Sequence, residues 1–303
     1  MISRRRTKLK QSKHRRFILG LLVVSVATSL LNVGQVNAAE KSNIRLVAVG
    51  DSLTEGIGDT TKQQGYTKRT AKLLTKAYGV RVKTANYGKA GDRSDQILRR
   101  VKSDKKAVRD IKKADVIVMT VGGNDLQQTL FKAIFAKSDT AVTKEVVKSM
   151  PTYTEKLMKL MKFIQQKNPD APIFLFGNYN PLYVYLANRQ DLNADVKIYN
   201  GINANIAATD SQVYYVSTFK TLTYGQYQTR AARQQLVKES EQANRGSLNN
   251  KMVQDTLNGK SDKELNAYIT TLDHYHPNNK GYDKMSKLLV KRMAEKESEW
   301  LVK

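Results

Sequence analysis

The chain has 303 residues, of which 40% are hydrophobic, 26% are charged and only 5 are proline. This balance is typical of a globular protein and excludes a disordered or collagen-like chain. Cysteine is absent, which excludes disulfides, thiolate metal sites and thiol redox chemistry. The stability of the fold must therefore come from an ordinary hydrophobic core.

The first 38 residues have the composition of a targeting signal. Eight Lys or Arg and no acid occur in the first 16 residues, and an apolar segment, Phe17 to Leu31, follows. Its 15 residues suit a signal peptide better than a bilayer span of about 20 residues. Small residues before Ala38 predict cleavage after it, and a retained N-terminal membrane anchor is the alternative. Either way, we expect residues 39–303 to be exported as one domain, secreted or held at the membrane outside the cytoplasm.

The formal net charge of the chain is +25. Without the eight cations of the leader, 44 Lys and Arg stand against 27 Asp and Glu, a net charge of +17. Such an excess favours anionic surroundings, namely a membrane surface or cell-wall polymers. A nucleic-acid partner is disfavoured, because the sequence has no zinc finger, RRM signature or basic motif interleaved with aromatic residues.

Short apolar runs alternate with longer segments of helical spacing. The runs, rich in Val and Ile, predict buried strands at 44–49, 80–85, 116–121, 173–176 and 213–216. Helices are predicted at 70–78, 94–113, 143–166 and 196–207. Strand followed by helix, repeated, predicts an α/β fold with a parallel sheet covered on both faces. Ligands of such sheets bind beyond the carboxyl ends of the strands.

The first predicted strand ends in GDSLTEG, where Ser52 stands at the point at which the chain must turn. A serine hydroxyl barely ionises near neutral pH and attacks an ester only when a base removes its proton. Ser52 is therefore either a turn residue or a nucleophile whose base comes from a distant part of the chain.

Two later strand ends carry hydrogen-bond donors. Gly91, in NYGKAGDRS, has a backbone N–H that a substrate can approach closely, because no Cβ stands in the way. Asn124, in TVGGNDL, has a side-chain amide at the end of a central strand. Both donors suit the negative oxygen that forms on an attacked carbonyl. Taken singly, each stretch is also explained as a glycine-rich turn.

The segment 224–272 is too long for a plain connection. Its polar runs at 231–241 and 262–268 predict helices, with several Lys and Arg among them. We interpret the segment as a basic helical insertion over the site, acting as a lid, as a docking surface or simply as a solvated charged face.

The motif LDHYHPNNKGY holds His274 and His276, the only histidines after the leader. Asp273 lies three residues before His276, close enough on a tight turn to accept a hydrogen bond from Nδ1 while Nε2 faces a serine. Pro277 restricts His276 to extended backbone conformations, which helps to fix the direction of the ring. We expect His274 to point elsewhere. A surface turn explains the motif equally well, whereas a metal site lacks a fourth ligand.

Together these stretches resemble the SGNH hydrolases of the GDSL esterase and lipase family. The four blocks are GDSLTEG, NYGKAGDRS, GGND and DHYHP, and the resemblance spans 44–293. It implies a three-layer α/β/α sandwich with a flavodoxin-like parallel sheet. Within the family, the chain is similar to the bacterial lysophospholipase and thioesterase branch.

The resemblance also implies roles for individual residues. Ser52 would be the nucleophile and His276 the base, oriented by Asp273. The Ser52 and Gly91 N–H groups and the Asn124 amide would form the oxyanion hole, and no metal or organic cofactor is implied. The basic insertion and His274 depart from the family pattern, and they affect the expected substrate rather than the catalytic roles.

The predicted function is hydrolysis of carboxylic esters through an acyl-enzyme, with fatty acyl esters or lysophospholipids as substrates. Alternatives are O-acetyl groups on wall glycans or teichoic polymers, and a non-catalytic module that binds polyanions. Apolar residues at helical spacing follow the third strand and either line an acyl channel or pack in the core: Leu126, Leu130, Phe131, Ile134 and Phe135. Three tyrosines follow the fourth strand and are candidates to flank the cleft: Tyr179, Tyr183 and Tyr185.

Overall fold

The structure is a computed structural model that describes residues 40–133, 139–243, 251, 254–255 and 263–302. The predicted leader, residues 1–38, lies outside the described residues. Among the helices that are described, none combines the length and the apolar character needed to cross a membrane.

Within the described residues, five parallel strands form one sheet, at the positions of the predicted apolar runs. They are β1 (Asn43–Gly50), β2 (Arg81–Gly88), β3 (Val116–Thr120), β4 (Ile173–Phe176) and β5 (Val213–Val216). Their order across the sheet is β2-β1-β3-β4-β5. The register pairs Gly50 at the end of β1 with Gly88 of β2 and Thr120 of β3. The loops that follow these three strands therefore start side by side.

Helices follow the strands, as the alternation predicts. Their bounds are α1 (Ser52–Glu55), α2 (Tyr66–Tyr78), α3 (Ser94–Ser103), α4 (Lys105–Lys112), α5 (Gly123–Ala133), α6 (Asp139–Lys167), α7 (Gln190–Thr209), α8 (Arg230–Gln242) and α9 (Asn279–Ala294). A π-helical turn at Phe219–Thr223 follows β5, and a 3-10 turn at Glu297–Glu299 follows α9.

The sheet is buried on both faces, so the fold has three layers. Along β1, Val47 and Val49 point into a core shared with α3, α4, α6 and α7. Leu46 and Ala48 point to the other side, into a core shared with α2 and α9. Covering helices on both faces explain why β1, β3, β4 and β5 are largely continuous apolar runs, whereas the edge strand β2 is only partly buried. The predicted α/β/α sandwich is confirmed.

The predicted helix at 94–113 is in fact two helices. Asp104 between them has an extended backbone, with φ −83° and ψ 104°. Its side chain accepts hydrogen bonds from the N–H groups of Lys106 and Ala107, at 2.7 and 3.1 Å. The carboxylate thus caps the start of α4. The chain turns at Asp104, although the helical spacing of apolar residues continues through this position.

The insertion is helical in its first part, where α8 matches the predicted run 231–241. The second predicted helix, 262–268, is wrong over its described part. There the N–H of Asn266 donates to Glu264 Oε1 at 2.7 Å, and the N–H of Tyr268 donates to Asn266 Oδ1 at 3.0 Å. Side-chain acceptors take the backbone donors that a helix would use, so the segment forms turns.

Candidate active site

Ser52 lies just beyond the carboxyl end of β1, at the first position of the one-turn helix α1. Asp51 precedes it, and its Oδ1 accepts the Leu53 N–H at 3.1 Å, which caps the helix. A side chain at Gly50 would collide with Thr120 of β3, so this strand end requires glycine. The Ser52 N–H belongs to the first turn of α1, where amides have no acceptor within their own helix.

A chain of buried hydroxyls supports Asp51. Thr120 Oγ1 donates to Asp51 Oδ1 at 2.7 Å and lies 2.8 Å from Thr54 Oγ1, which lies 2.7 Å from the Tyr66 hydroxyl. Because Thr120 gives its only hydrogen to the carboxylate, Thr54 donates to Thr120 and Tyr66 donates to Thr54. Burial raises the pKa of Asp51, against the hydrogen bonds it accepts. In the sequence, only the threonine that ends β3 points to this series of linked hydroxyls.

Ser52, His276 and Asp273 form a continuous chain of hydrogen bonds. His276 Nε2 lies 2.7 Å from Ser52 Oγ, and His276 Nδ1 lies 2.6 Å from Asp273 Oδ2. Asp273 Oδ1 also accepts the backbone N–H groups of His276 and Tyr275, both at 2.9 Å. Burial acts to raise the pKa of Asp273, but these hydrogen bonds and the nearby imidazole outweigh it and lower the pKa. A carboxylate that accepts from Nδ1–H leaves Nε2 to accept from the serine hydroxyl.

Two hydrogen bonds hold the loop that carries His276. The Thr270 N–H donates to the His276 carbonyl at 2.8 Å, which closes the loop on itself. From the segment after β4, the hydroxyl of Tyr179 donates to the Tyr275 carbonyl at 2.7 Å. These bonds fix the backbone of the loop and thereby the position of the His276 ring. A reacting group has to be held to within about half an ångström of its working position.

Gly91 lies in the loop after β2, and Asn124 lies in the first turn of α5, which follows β3. Gly91 has φ 79°, a left-handed conformation that favours glycine, and the space where a Cβ would stand is open. The Asn124 amide donates one hydrogen to the Asp92 carbonyl at 2.9 Å and carries a second. Asp125 fastens the start of α5 to the start of α3, because its carboxylate accepts the N–H and hydroxyl of Ser94 at 2.9 and 2.7 Å.

Arg100 and Glu55 tie the Gly91 loop to the serine turn. Arg100 donates to Asp92 Oδ2 at 2.7 Å and to the Gly50 carbonyl at 2.9 Å. Glu55 of α1 accepts the Ala90 N–H at 2.5 Å. Neither residue was predicted from the sequence, since a charged residue on a helix surface gives no sign that it positions a neighbouring loop.

His274 is directed at Glu264 rather than at Ser52. Its Nδ1 lies 2.7 Å from Glu264 Oε2, and both side chains are buried, with 2% and 4% exposed. His274 also has φ 55°, a conformation that costs a non-glycine residue on the order of 1 kcal/mol or more. Over the part of the chain that the structure describes, no three His, Cys, Asp or Glu side chains group to hold a metal ion.

The chain is similar to proteins of a known family. Residues 48–284 match the model of the GDSL-like Lipase/Acylhydrolase family. The chain belongs to the GDSL-like lipase/acylhydrolase family. As a member, it is a carboxylic ester hydrolase, and the resemblance found in the four sequence blocks is confirmed.

Two Bacillus proteins are similar to the chain in sequence, and a solved structure is similar to it in fold. YpmR of Bacillus subtilis is 28% identical over 273 residues, covering 88% of this chain and 90% of that protein. The spore germination lipase LipC of Bacillus licheniformis is 27% identical over 138 residues, covering 46% of this chain and 65% of that one. The crystal structure of the lipase Lip_vut3 from a goat rumen metagenome superposes with a TM-score of 0.56 at 20% identity, covering 82% and 97% of the chains.

The predicted cleft residues turn out to be structural in their described part. Leu126 is buried in the core, and Leu130 packs against it, whereas Ile134 and Phe135 lie outside the described residues. All three tyrosines of the fourth strand end are buried, with less than a tenth of each exposed: Tyr179, Tyr183 and Tyr185. In this GDSL hydrolase Tyr179 supports the His276 loop, whereas Tyr185 contacts Leu265 and Tyr183 packs against Tyr224.

Proposed function

We propose that this chain is an exported serine hydrolase that cleaves carboxylic esters through an acyl-enzyme on Ser52. The observation that carries the proposal is the unbroken hydrogen-bond chain of 2.7 Å and 2.6 Å from Ser52 through His276 to Asp273. Such a chain is what a serine needs in order to lose its proton at neutral pH.

The reaction proceeds in two steps. As Ser52 Oγ attacks the ester carbonyl, His276 Nε2 takes its proton, and Asp273 stabilises the resulting imidazolium without being protonated. His276 then gives that proton to the departing alcohol, which leaves the acyl group on Ser52. Water repeats the sequence, with His276 again as base, and releases the acid and the free serine.

The negative oxygen of each tetrahedral intermediate is stabilised by the Ser52 and Gly91 N–H groups and by the Asn124 amide. Support for this assignment comes from the strand register, which aligns the ends of β1, β2 and β3, and from the Asp92 and Asp125 contacts that join their loops. Each such donor is worth about 10² to 10³ in turnover. Rigid loops are what makes donors of this kind effective, since they need no reorganisation during the reaction.

Fatty acyl esters, including lysophospholipids, are the proposed substrates, and the relative named a spore germination lipase supports an acyl ester. One observation favours a second candidate, a short acyl group such as O-acetyl on wall glycans or teichoic polymers. Leu126 and Leu130 pack in the core, so neither is available to line a channel for a long chain. Hydrolysis of p-nitrophenyl esters from acetyl to palmitoyl separates the two. A higher kcat/KM at octanoyl or longer supports fatty acyl esters, whereas a preference for acetyl with acetate release from wall polymer supports the second.

The nucleophile is tested with the full-length chain and a fluorophosphonate probe, which labels only an activated serine. We expect labelling of the parent and of Ser103→Ala, a control on an exposed serine, and none of Ser52→Ala. Ester turnover should follow the same pattern. Absence of labelling in the folded parent would instead indicate the non-catalytic polyanion-binding module.

Export is the part of the proposal that rests on residues 1–38 alone. Fractionation of cells that produce the full chain should recover the protein outside the cytoplasm. An N-terminus at Ala39 would show cleavage, and an intact N-terminus in the membrane fraction would show an anchor. Recovery of the intact chain from the cytoplasm would contradict export.

A further inference from the structure

A second depression lies on the insertion, away from the serine turn. It is a groove of about 490 Å³ between α8 and the segments that follow β4 and β5. Among its lining residues are Tyr183, Tyr224, Arg230, Arg233, Gln234 and Lys238. We call it the α8 groove.

One face of α8 supplies the cations of this groove. Arg230, Arg233, Gln234 and Lys238 follow the spacing i, i+3, i+4 and i+8, which places them on the same side of the helix. No acid lines the groove, within the described residues. Glu239, the next residue along, lies on the opposite side of α8 and accepts from Gln235 at 3.0 Å. Glu241, three residues after Lys238, lies on the same side of α8 but does not line the groove. Among the described residues, the lining of the α8 groove therefore carries three cations and no acid.

Arg233 is held in a fixed position, and part of its guanidinium group remains available to bind an anion. Its guanidinium lies 4.4 Å from the centre of the Tyr224 ring, and Nη1 donates to the Gln228 carbonyl at 2.6 Å. Nη1 also donates to the Tyr227 carbonyl at 3.3 Å, whereas Nε and Nη2 make no hydrogen bond to any described residue. Among the described residues, Arg230 and Lys238 form no ion pair with an acid. A stacked guanidinium loses little freedom when it binds an anion, because its plane is already oriented.

The spread of the charges indicates the kind of anion. Eight residues separate Arg230 from Lys238, about 12 Å along the helix axis, which is more than one phosphate group can bridge. A chain of repeated phosphodiesters can follow the row. Nucleic acid fits less well, because the Tyr224 face that a base would stack on is covered by Arg233.

We propose that the α8 groove binds a flexible polyanion whose backbone repeats phosphodiester groups, as in a poly(glycerol phosphate) chain. The segment after β4 connects the groove with the His276 loop. Its Tyr183 lines the groove, and the hydroxyl of its Tyr179 donates to the Tyr275 carbonyl. Binding itself does not depend on ester cleavage. That the bound polymer carries the ester presented to Ser52 rests on the proposed function.

The test compares two triple variants of the full-length chain that remove equal charge. The groove variant is Arg230→Gln, Arg233→Gln and Lys238→Gln. The matched control is Lys102→Gln, Lys105→Gln and Arg109→Gln, three exposed cations of α3 and α4. Binding to immobilised poly(glycerol phosphate) is measured at low and physiological ionic strength. Each lysine or arginine at an anionic surface is worth about fivefold, so the groove variant should lose roughly 100-fold and the control less than about fivefold.

Several outcomes would overturn the proposal: equal losses in both triple variants, unchanged binding by the groove variant, or tighter binding of single-stranded DNA than of poly(glycerol phosphate) by the parent. Competition by inorganic phosphate at the same molar phosphate concentration would show that a single anion suffices and would also overturn it. Because Arg233 packs on Tyr224, the double variant Arg230→Gln and Lys238→Gln provides a version with that packing intact, and it should lose about 25-fold.

Two controls separate this proposal from the proposed function. Ser52→Ala should bind the polymer as the parent does, whether or not Ser52 is the nucleophile. The groove variant should hydrolyse a small soluble ester at the parent rate, which also shows that it is folded. Loss of polymer binding in Ser52→Ala would contradict a groove that acts independently of the serine turn.

Discussion

Replacing Asp273 by Asn tests the hydrogen-bond chain at its most informative point. In the structure one carboxylate oxygen accepts two backbone N–H groups, at 2.9 Å each, and the other faces Nδ1 of His276 at 2.6 Å. The Asn oxygen has to stay with the two backbone donors. Its NH₂ group then faces Nδ1 and can only donate, so the imidazole proton moves to Nε2.

An imidazole protonated on Nε2 donates to Ser52 and cannot take its proton. The variant therefore loses its general base, an effect of about 10³ to 10⁴ in kcat, equivalent to about 4 to 5.5 kcal/mol in the activation barrier. The fold should lose only about 1 to 3 kcal/mol, because hydrogen bonds to a carboxylate are replaced by weaker ones to a neutral amide.

The assay is kcat for a soluble p-nitrophenyl ester, together with urea unfolding of each protein. Asp170→Asn, which removes an exposed carboxylate far along the chain, is the control for lost charge and should retain the parent rate. A loss of less than tenfold in folded Asp273→Asn would refute the assigned roles of Asp273 and His276.

Three further predictions follow from buried polar contacts. His274→Ala should lower stability by about 3 kcal/mol, because a buried carboxylate loses its partner, yet keep kcat within about tenfold; a loss as large as that of His276→Ala would contradict the choice of base. Thr120→Val should cost about 2 to 4 kcal/mol in urea unfolding, since Asp51 and a second hydroxyl lose their hydrogen bonds, and a cost below about 1 kcal/mol would argue against the hydroxyl chain. Burial acts to raise the pKa of Asp59, but its hydrogen bonds with Arg69 and Thr61 outweigh it and lower the pKa to about 2. Ionised Asp59 therefore adds about 1 to 2 kcal/mol to the free energy of unfolding above pH 4, and this stabilisation is lost as the pH falls toward 2. Acid unfolding of Asp59→Asn should lack that loss, and an acid limb identical to that of the parent would refute it.

Local errors in the predicted elements share one cause. The pattern of apolar residues runs through Asp104 without a break, and only its bonds to two backbone N–H groups divide the helix there. The described residues from 263 to 268 have a helical composition, but Glu264 and Asn266 capture the backbone donors. Side chains of this kind can either cap a helix or lie within one, and the tertiary contacts around them decide which of the two forms.

The sequence by itself determined the five strands, the α/β class and the four blocks of the site. Parallel strands buried on both faces are continuous apolar runs, and the proposed ester cleavage through an acyl-serine uses a serine, a histidine and an acid that stand in recognisable sequence blocks. Both are local properties of the chain, so both can be predicted without coordinates.

Only the tertiary structure decided which distant groups meet. Ser52 and His276 are 224 residues apart, and their 2.7 Å contact depends on strand order and register, which no local pattern encodes. The same holds for the buried pair of His274 with Glu264 and for the hydroxyl chain behind Asp51. Burial turns these residues from ordinary polar positions into partners that cannot be exchanged for water, and burial is a property of the assembled fold.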